Sequence, residues 1–245
     1  MRRVSALLAV LGLVILAGAA TTNAAGTSYP VYAHAQVLGV VEHANGEVAL
    51  TFDDCSNASA WRAILITLRR DNVHAAFFCI GEEVQSHPRL ARRVVANGNM
   101  LCNHTWSHAD LTASSTAGIT SQIRRTRGVL NQVAQSRCRF FRPPYGSYNR
   151  EVLRIAGKLG YRWAALWSVD PQDWQEPGTS AIVERVISHT HSGSIVLLHC
   201  LPETAAAVPK IIRSLRRHHL RPMKLSTVVR RGRPTSGGWP SYSQL

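Results

Sequence analysis

Two kinds of apolar spacing alternate along the chain from Glu47 onward. Short apolar runs of strand length are separated by segments in which apolar residues recur three and four positions apart, as on one face of a helix. The runs predict strands starting at Glu47 and covering 74–80, 99–103, 139–142, 162–167, 194–199 and 222–225. The intervening segments predict helices around 61–68, 88–96, 119–133, 149–159, 181–188 and 208–215. Such alternation favours an α/β domain on a parallel sheet, open or closed into a barrel.

Polar side chains with chemical potential stand where these predicted strands end. They are Asp53 and Asp54, His104, Arg142, Asp170 and His199. Reactive residues of parallel α/β folds gather at the carboxyl ends of the strands. The pattern therefore predicts one site that combines carboxylates, imidazoles and an arginine.

The neighbouring carboxylates Asp53 and Asp54 resist joint ionisation unless a cation or a proton lies beside them. His104 and His108 are four residues apart, so on a helix both rings would lie on one face. Two imidazoles and one carboxylate supply the three protein ligands of a catalytic zinc, which activates water. One aspartate would then bind the metal and the other act as general base. Alternatively, the histidines are ordinary surface or core residues.

The segment Arg142–Gly146 reads Arg-Pro-Pro-Tyr-Gly and predicts a rigid turn after a strand. Its fixed backbone could aim an amide N–H at an oxyanion, or it is simply a stiff loop. Arg142 suits a bidentate pair with Asp53 or with one of Asp170 and Asp173. His199 ends an apolar run, where it is either structural or positioned to protonate a leaving group.

Five motifs in this order resemble those of the NodB-type polysaccharide deacetylases of carbohydrate esterase family 4. They are Thr51–Asp54, His104–His108, Arg142–Gly146, Asp170–Trp174 and Leu197–His199. The resemblance extends from about Glu47 to Val228. It implies a distorted, incomplete (β/α) barrel with about seven parallel strands.

The resemblance also implies roles for individual residues. Asp53 corresponds to the catalytic base, and a divalent metal, zinc, would be held by Asp54, His104 and His108. His199 corresponds to the catalytic acid, and the Tyr145 backbone N–H contributes to the oxyanion hole. The remaining positions would support the site or bind substrate: Arg142 and Asp173 support it, and Pro143, Trp174 and Leu197 contact the substrate.

Two positions depart from the pattern of this family. Cys55-Ser56 stand where Gly-Pro commonly follows the aspartate pair, and Cys200 stands where an aspartate often follows the last histidine. These changes leave the catalytic positions intact, but they place two cysteines beside the site and leave the shape of the substrate groove open.

The function implied is a hydrolase that removes acetyl groups from an N-acetylated amino-sugar polymer, either peptidoglycan or a chitin-type oligosaccharide. The alternatives are an O-acetyl xylan esterase and a non-catalytic carbohydrate-binding relative. A nucleic-acid binder is disfavoured, because the chain has no nucleic-acid recognition motif. We expect a monomer whose partner is the polysaccharide.

The two ends of the chain differ in composition from its middle. Arg2 and Arg3 precede an almost wholly apolar run, which predicts a signal peptide over 1–25 and a secreted or cell-envelope protein. If uncleaved, the run would anchor the chain in a membrane. We expect a lead-in over 26–46, the catalytic domain over 47–228 and a disordered basic tail over 229–245. The net charge of +14, or 14 − 2 = +12 without Arg2 and Arg3, favours an anionic cell wall.

The chain has five cysteines, Cys55, Cys79, Cys102, Cys138 and Cys200, and an odd number leaves at least one outside intrachain pairs. None has the spacing of a structural zinc site. Cys55 and Cys200 each follow a motif residue at a strand end, so we expect them to be close, and a disulfide between them is an extension of that expectation. Cys79 with Cys102 is the next pair to consider.

Overall fold

The computed structural model describes residues 29–237, so the predicted signal peptide and the last residues of the predicted tail lie outside it. The strands are β1 Gln36–Leu38, β2 Val40–Glu42, β3 Glu47–Asp54, β4 Ala76–Cys79, β5 Met100–Asn103, β6 Phe140–Phe141, β7 Trp163–Ala165, β8 Ile195–His199, β9 Arg221–Pro222 and β10 Arg233–Thr235. The helices are α1 Ala58–Arg70, α2 Gly81–Ser86, α3 Pro88–Ala96, α4 Thr116–Ala134, α5 Arg150–Lys158, α6 Thr179–His189, α7 Pro202–Arg217 and α8 Leu225–Arg231.

The main sheet is parallel and curls around an interior. Its strand order is β1-β7-β6-β5-β4-β3-β8, and β9 adds to the start of β3. Val169, beyond the end of β7, forms a bridge with Val196 of β8, so the curled sheet is almost joined there. The predicted distorted, incomplete barrel is confirmed, since seven strands follow one another in this order.

Strand β3 lies inside the sheet and is buried along nearly its whole length. Successive side chains of a strand point to opposite faces. Val48, Leu50 and Phe52 belong to the cluster beneath the outer helices, and Asp53 therefore faces the barrel interior. This alternation turns a carboxylate inward at the carboxyl end of an otherwise apolar strand.

The outer helices follow the predicted apolar spacing closely. Helix α1 buries Trp61, Ile64, Leu65 and Leu68, and its N-terminus is capped by the Asn57 side chain. Each such aliphatic side chain contributes roughly 1.5–3 kcal/mol by leaving water. These contacts fix the helices against the convex face of the sheet, and the strand ends remain free to form a site.

The compact unit extends beyond the predicted domain at both ends and includes residues from Val31 onward. In the segment expected to be a lead-in, β1 joins the main sheet beside β7. Where a seventh strand was expected, only Arg221–Pro222 pair with β3, and a helix begins at Leu225. No helix in the described part of the chain has the length and apolarity needed to cross a bilayer.

The tail expected to be disordered is ordered as far as residue 237. Helix α8 ends at Arg231, and β10 pairs antiparallel with β2. The basic side chains that suggested disorder pair with carboxylates of two strands, because Arg231 pairs with Glu47 of β3 and Arg233 with Glu42 of β2. Composition alone could not show these partners, since they lie more than 180 residues away along the chain.

Candidate active site

A cavity of about 480 Å³ opens at the carboxyl ends of the strands. Asp53 and Asp54 end β3, His104 follows β5, and His199 ends β8. Parallel strands bring these four side chains to one edge of the sheet, as expected from their positions. The cavity is lined by Asp53, Asp54, His104, His108, Tyr145, Trp167, Trp174, Leu197 and His199.

Asp54, His104 and His108 are arranged around a common point. Asp54 Oδ1 lies 3.4 Å from His104 Nε2 and 3.6 Å from His108 Nε2, and the three donor atoms lie within 4.8 Å of one another. Two tetrahedral ligands about 2.0–2.1 Å from one zinc ion are themselves about 3.3–3.4 Å apart. Asp54 Oδ1 is buried and has no hydrogen-bond partner among the described residues. This donor set therefore fits a divalent metal.

The two histidines do not lie on a helix, in contrast to the geometry considered from their spacing. Residues 104–108 form an irregular turn in which Thr105 and His108 have left-handed φ angles of 67° and 58°. The Asn103 side chain replaces helical hydrogen bonding by accepting from the Thr105 N–H at 2.8 Å. His104 is oriented by donation from its Nδ1–H to the Arg142 carbonyl at 2.8 Å, which leaves Nε2 free toward Asp54.

Asp53 is buried beside the three donor residues and is held by Arg142. The Arg142 Nη1 donates to Asp53 Oδ1 at 2.6 Å, and the other carboxylate oxygen lies 3.5 Å from His104 Nε2. Of the carboxylates considered as partners of Arg142, the structure therefore selects Asp53. One oxygen of Asp53 is committed to the guanidinium, and the other faces the donor set.

Arg142 itself is fully buried and bound on all sides. Its Nε and Nη2 donate to the carbonyls of Ala165 and Leu166 at 2.9 Å each, and Nη1 also donates to Thr51 Oγ1. The guanidinium carbon lies 4.2 Å from the ring centroid of Phe78. These contacts compensate the burial of a charge that would otherwise be strongly unfavourable.

His199 and Asp173 form a second pair at the cavity, in which His199 lines the cavity and Asp173 is fully buried. The His199 Nδ1–H donates to Asp173 Oδ1 at 2.7 Å, and Asp173 Oδ2 accepts from the His199 backbone N–H and the Thr204 hydroxyl. Burial lowers the pKa of His199, but Asp173, Asp53 and Asp54 outweigh it and raise the pKa to about 9. The ring can therefore hold a proton at neutral pH.

Burial and neighbouring charges shift the pKa values of the three donor residues. Burial would raise the pKa of Asp54, but the nearby imidazoles of His104, His199 and His108 lower it to about 2. Burial, together with His104, lowers the pKa of His108. For Asp54 and His108 these shifts favour the ionised carboxylate and the neutral imidazole that metal ligation requires. Burial also opposes the charged form of His104, but Asp53 and Asp54 outweigh it and raise the pKa of His104, so a metal ion would have to displace a proton from this ring.

The remaining predicted residues differ in their distance from the cavity. Tyr145 sits in a 3₁₀ turn with a left-handed φ of 58°, and its ring packs edge-on against His108. Tyr145 and Trp174 are 62% and 50% exposed, and Leu197 lies at the cavity floor. Pro143 is buried and does not line the cavity, so the structure does not bring it to the substrate space.

Three residues that support or line the site were given no role from the sequence. Thr51 and Thr204 donate or accept hydrogen bonds with Arg142 and Asp173, and Trp167 lines the cavity. Trp167 follows β7 at the carboxyl end of the sheet, and that position could have identified it. Thr51 opens the first of the five motifs, and that position could have identified it, whereas no signal in the sequence distinguishes Thr204 from other threonines.

The cysteines pair differently from the expectation. Cys55 is bonded to Cys79 and Cys102 to Cys138, so both considered pairs, Cys55–Cys200 and Cys79–Cys102, are wrong. Cys79 lies opposite Asn103 in the register of β4 and β5, so Cys79 and Cys102 point to opposite faces. Cys200 is a buried free thiol. It does lie near Cys55, since the N–H groups of Cys200 and Cys55 both donate to the Asp53 carbonyl, at 3.4 and 2.8 Å.

The curled parallel sheet holds acidic and imidazole groups together at its mouth, and this set of side chains suits metal-assisted hydrolysis. Residues 41–164 match the family model for polysaccharide deacetylases, and the chain belongs to that family. It is thus a hydrolase that acts on amide bonds of acetylated polysaccharide, as the resemblance implied.

Named relatives place the chain within this family. It is 38% identical over 169 residues to the peptidoglycan-N-acetylmuramic acid deacetylase PdaC of Bacillus subtilis. This match covers 69% of the present chain and 35% of PdaC. The chain is 39% identical over 159 residues to a chitooligosaccharide deacetylase of Rhizobium leguminosarum bv. trifolii. This second match covers 64% of the present chain and 73% of that protein. The chain therefore spans about a third of PdaC and about three quarters of the rhizobial enzyme.

Among solved structures, the fold resembles a CE4 family pseudoenzyme from Bacillus anthracis. The TM-score is 0.76 at 26% identity, and the match covers 79% of this chain and 68% of that one. The similarity supports the curled barrel described above.

Proposed function

We propose that the protein is a secreted, metal-dependent deacetylase of an N-acetylated amino-sugar polymer, with peptidoglycan and chitin-type oligosaccharides as substrates. The observation that carries this proposal is the buried Asp54 Oδ1, which has no hydrogen-bond partner in the described chain and faces two imidazole nitrogens beside Asp53. The names of the peptidoglycan and chitooligosaccharide deacetylases that the chain resembles support the substrate class.

In this proposal Asp54, His104 and His108 hold zinc. Zinc, when bound there, supplies Lewis-acid activation of water and of the acetyl carbonyl. Asp53 accepts a proton from the attacking water through the oxygen that Arg142 does not occupy. The Tyr145 backbone N–H donates to the developing oxyanion. The side chains of Trp174 and Leu197 contact the acetyl methyl group.

His199 completes the reaction by donating its proton to the departing amine nitrogen. Asp173 keeps the ring protonated and fixes its Nδ1–H, so the Nε2–H points away from Asp173. The base and the acid thus stand on neighbouring strands, since Asp53 and His199 are partners in the register of β3 and β8. One residue, Asp53, therefore accepts the proton, and another, His199, donates one.

The experiment that tests these roles compares Asp53→Asn with Asp54→Asn. Asp53→Asn is expected to abolish acetate release while zinc content stays near one ion per chain, because a base is lost and no ligand is. Asp54→Asn, His104→Ala and His108→Ala are expected to lower zinc content and activity together. Asp110→Asn removes an exposed carboxylate that bonds only to its own loop and serves as the matched control. Full activity in a metal-free preparation would refute the proposal.

A non-catalytic carbohydrate-binding relative is the second candidate, and it is favoured only by the likeness to a pseudoenzyme. The complete set of Asp53, the three donor residues and the His199–Asp173 pair argues against it. An O-acetyl xylan esterase is a third candidate. Acetate release from a panel of N-acetylated oligosaccharides and O-acetylated xylan separates the three, because a binding protein releases acetate from neither and an esterase only from xylan.

The proposed setting is an anionic cell wall, where the protein acts as a monomer. Helices α7, α1, α3 and α4 contact one another in this order along the convex side of the sheet. We call them the basic layer, since among the described residues Glu203 is the sole carboxylate within these helices. The exposed basic residues of the layer are Arg62, Arg69, Arg70, Arg89, Arg92, Arg93, Arg124, Arg125, Lys210, Arg213, Arg216 and Arg217. This surface would attract a polyanion without touching the cavity.

A further inference from the structure

The disulfide Cys55–Cys79 lies between the two chain segments that carry the proposed metal ligands. Cys55 directly follows Asp54 at the end of β3, and Cys79 ends the neighbouring strand β4. The Cys79 carbonyl accepts a hydrogen bond from the His104 N–H at 3.2 Å. One covalent bond and one hydrogen bond therefore connect the backbone next to Asp54 with the backbone of His104.

The backbone beside Asp54 adopts a conformation that needs an external constraint. Asp54 and Cys55 have consecutive left-handed φ angles of 66° and 65°. Residues with a Cβ atom disfavour this region, whereas glycine enters it freely. A covalent tie from Cys55 to the next strand supplies the constraint that the residue type does not.

Further contacts show where the tie acts. The Ile80 N–H donates to the Asp54 carbonyl at 3.1 Å, so the residue after Cys79 also holds the ligand-bearing backbone. Both sulfurs are fully buried in the cluster beneath the outer helices, behind the cavity. Neither cysteine lines the cavity, and their effect on the site must pass through the position of Asp54.

We propose that the Cys55–Cys79 disulfide is a positioning device that sets the Asp54 carboxylate against His104, so that zinc affinity depends on this bond. The inference rests on the proposed metal site. Loss of a group that orients metal ligands typically weakens binding about 10- to 100-fold. We expect an effect of this size when the bond is removed.

The second disulfide provides a matched control. Cys102–Cys138 spans 36 residues, compared with 24 for Cys55–Cys79, so the two removals perturb the unfolded chain similarly. Cys102–Cys138 joins β5 to the chain before β6 and does not connect Asp54 to either histidine. Its removal should destabilise the fold and leave the Asp54–His104 geometry in place.

The experiment measures the dissociation constant of Zn²⁺ by competition with a chelating dye for two double variants. Cys55→Ala/Cys79→Ala is expected to bind Zn²⁺ about 10- to 100-fold more weakly than the parent, and Cys102→Ala/Cys138→Ala within about threefold of it. All proteins, including the parent, carry Cys200→Ala, which removes thiol ligation and exchange. Circular dichroism verifies folding. Unchanged affinity in the first variant, or equal losses in both, would overturn the inference.

If the first variant does not fold, reduction of the folded protein decides. In the Cys102→Ala/Cys138→Ala/Cys200→Ala background, only Cys55–Cys79 remains to be reduced by a phosphine. Once alkylation shows that both thiols have been released, transfer of bound Zn²⁺ to the dye is expected to be faster than in the oxidised protein. An unchanged rate in the protein shown to be reduced would overturn the inference. Asp54→Asn separates the two levels. If Asp54→Asn leaves the Zn²⁺ affinity of the parent unchanged, both proposals fail. If Asp54→Asn lowers that affinity but loss of the disulfide does not, only the present inference fails.

Discussion

Asp173→Asn tests the proposed acid because it removes one charge with almost no change in shape. Asp173 is fully buried and accepts hydrogen bonds from the His199 ring at 2.7 Å and from the Thr204 hydroxyl at 2.6 Å. An asparagine oxygen can still accept from Thr204 and from the His199 backbone N–H. The change therefore acts mainly on the protonation of His199.

The size of the effect follows from the environment of His199. Its pKa is raised from 6.5 to about 9, a difference of 9 − 6.5 = about 2.5, although burial opposes the charged ring. The Asp173 hydrogen bond and charge are the largest contributions that raise it, ahead of Asp53 and Asp54. An opposite charge at this range shifts a pKa by about 1–3 units, so Asp173→Asn should lower the pKa of His199 by about that amount.

The sign of the pH dependence follows from the role of His199. A general acid acts only when protonated, so activity falls as pH rises through its pKa. The fall should occur at lower pH in Asp173→Asn than in the parent. A cation held by Asp54 lowers the His199 pKa in both proteins by charge repulsion, so the difference between them remains.

The assay is kcat/KM for acetate release from a chitooligosaccharide at saturating zinc between about pH 5 and 11. Asp110→Asn is the matched control, because its carboxylate bonds only to Thr112 in an exposed loop. The control should keep the alkaline limb of the parent, while the limb of Asp173→Asn moves down by about 1–3 pH units. An unmoved limb in a folded Asp173→Asn protein would refute the assignment of His199 as acid.

Three other predictions concern the scaffold and the surface. Arg142→Met leaves Asp53 as an unpaired buried charge and should lower the free energy of unfolding in urea by about 3–5 kcal/mol; a loss under about 1 kcal/mol would contradict the buried pair. Cys102→Ala/Cys138→Ala opens a loop of 36 residues and should cost about 4 kcal/mol in the same assay, and unchanged stability would count against the bond. Salt should weaken binding to intact cell wall and leave turnover of a short neutral oligosaccharide nearly unchanged, since exposed charges are screened within about 10 Å at roughly 0.1 M salt. Arg92→Glu in the basic layer should weaken wall binding more than Arg150→Glu on α5, which changes the net charge equally, and equal effects would assign the attraction to net charge alone.

Much of the fold could be predicted from the sequence because local patterns specify local structure. The spacing of apolar residues predicted a helix over 88–96, with the same bounds as α3, and a helix over 149–159, where α5 forms with the Asn149 side chain as its N-terminal cap. The motif residues were placed at strand ends, and parallel strands bring such ends to one edge. The family and its barrel followed from the order of five motifs.

Other features depended on partners that are remote in sequence. The helix considered for His104 and His108 is absent and a turn stands there, since Asn103 hydrogen bonds to Ile123 and Tyr161 and offers its oxygen to Thr105. The tail is ordered because β10 pairs with β2 and because two arginines of the tail form ion pairs with carboxylates of β3 and β2. Neither outcome is visible in a local window of the sequence.

The sequence by itself determined which residues stand at the strand ends and which chemistry they offer, since both depend on residue type and on the period of the apolar pattern. Only the tertiary structure decided that Arg142 binds Asp53 and that Cys55 binds Cys79. These choices depend on strand order and register, which place Asp54 opposite Cys79 and Cys79 opposite Asn103. A shift of one residue in register turns a side chain to the other face of the sheet, so spacing along the chain cannot fix pairing across it.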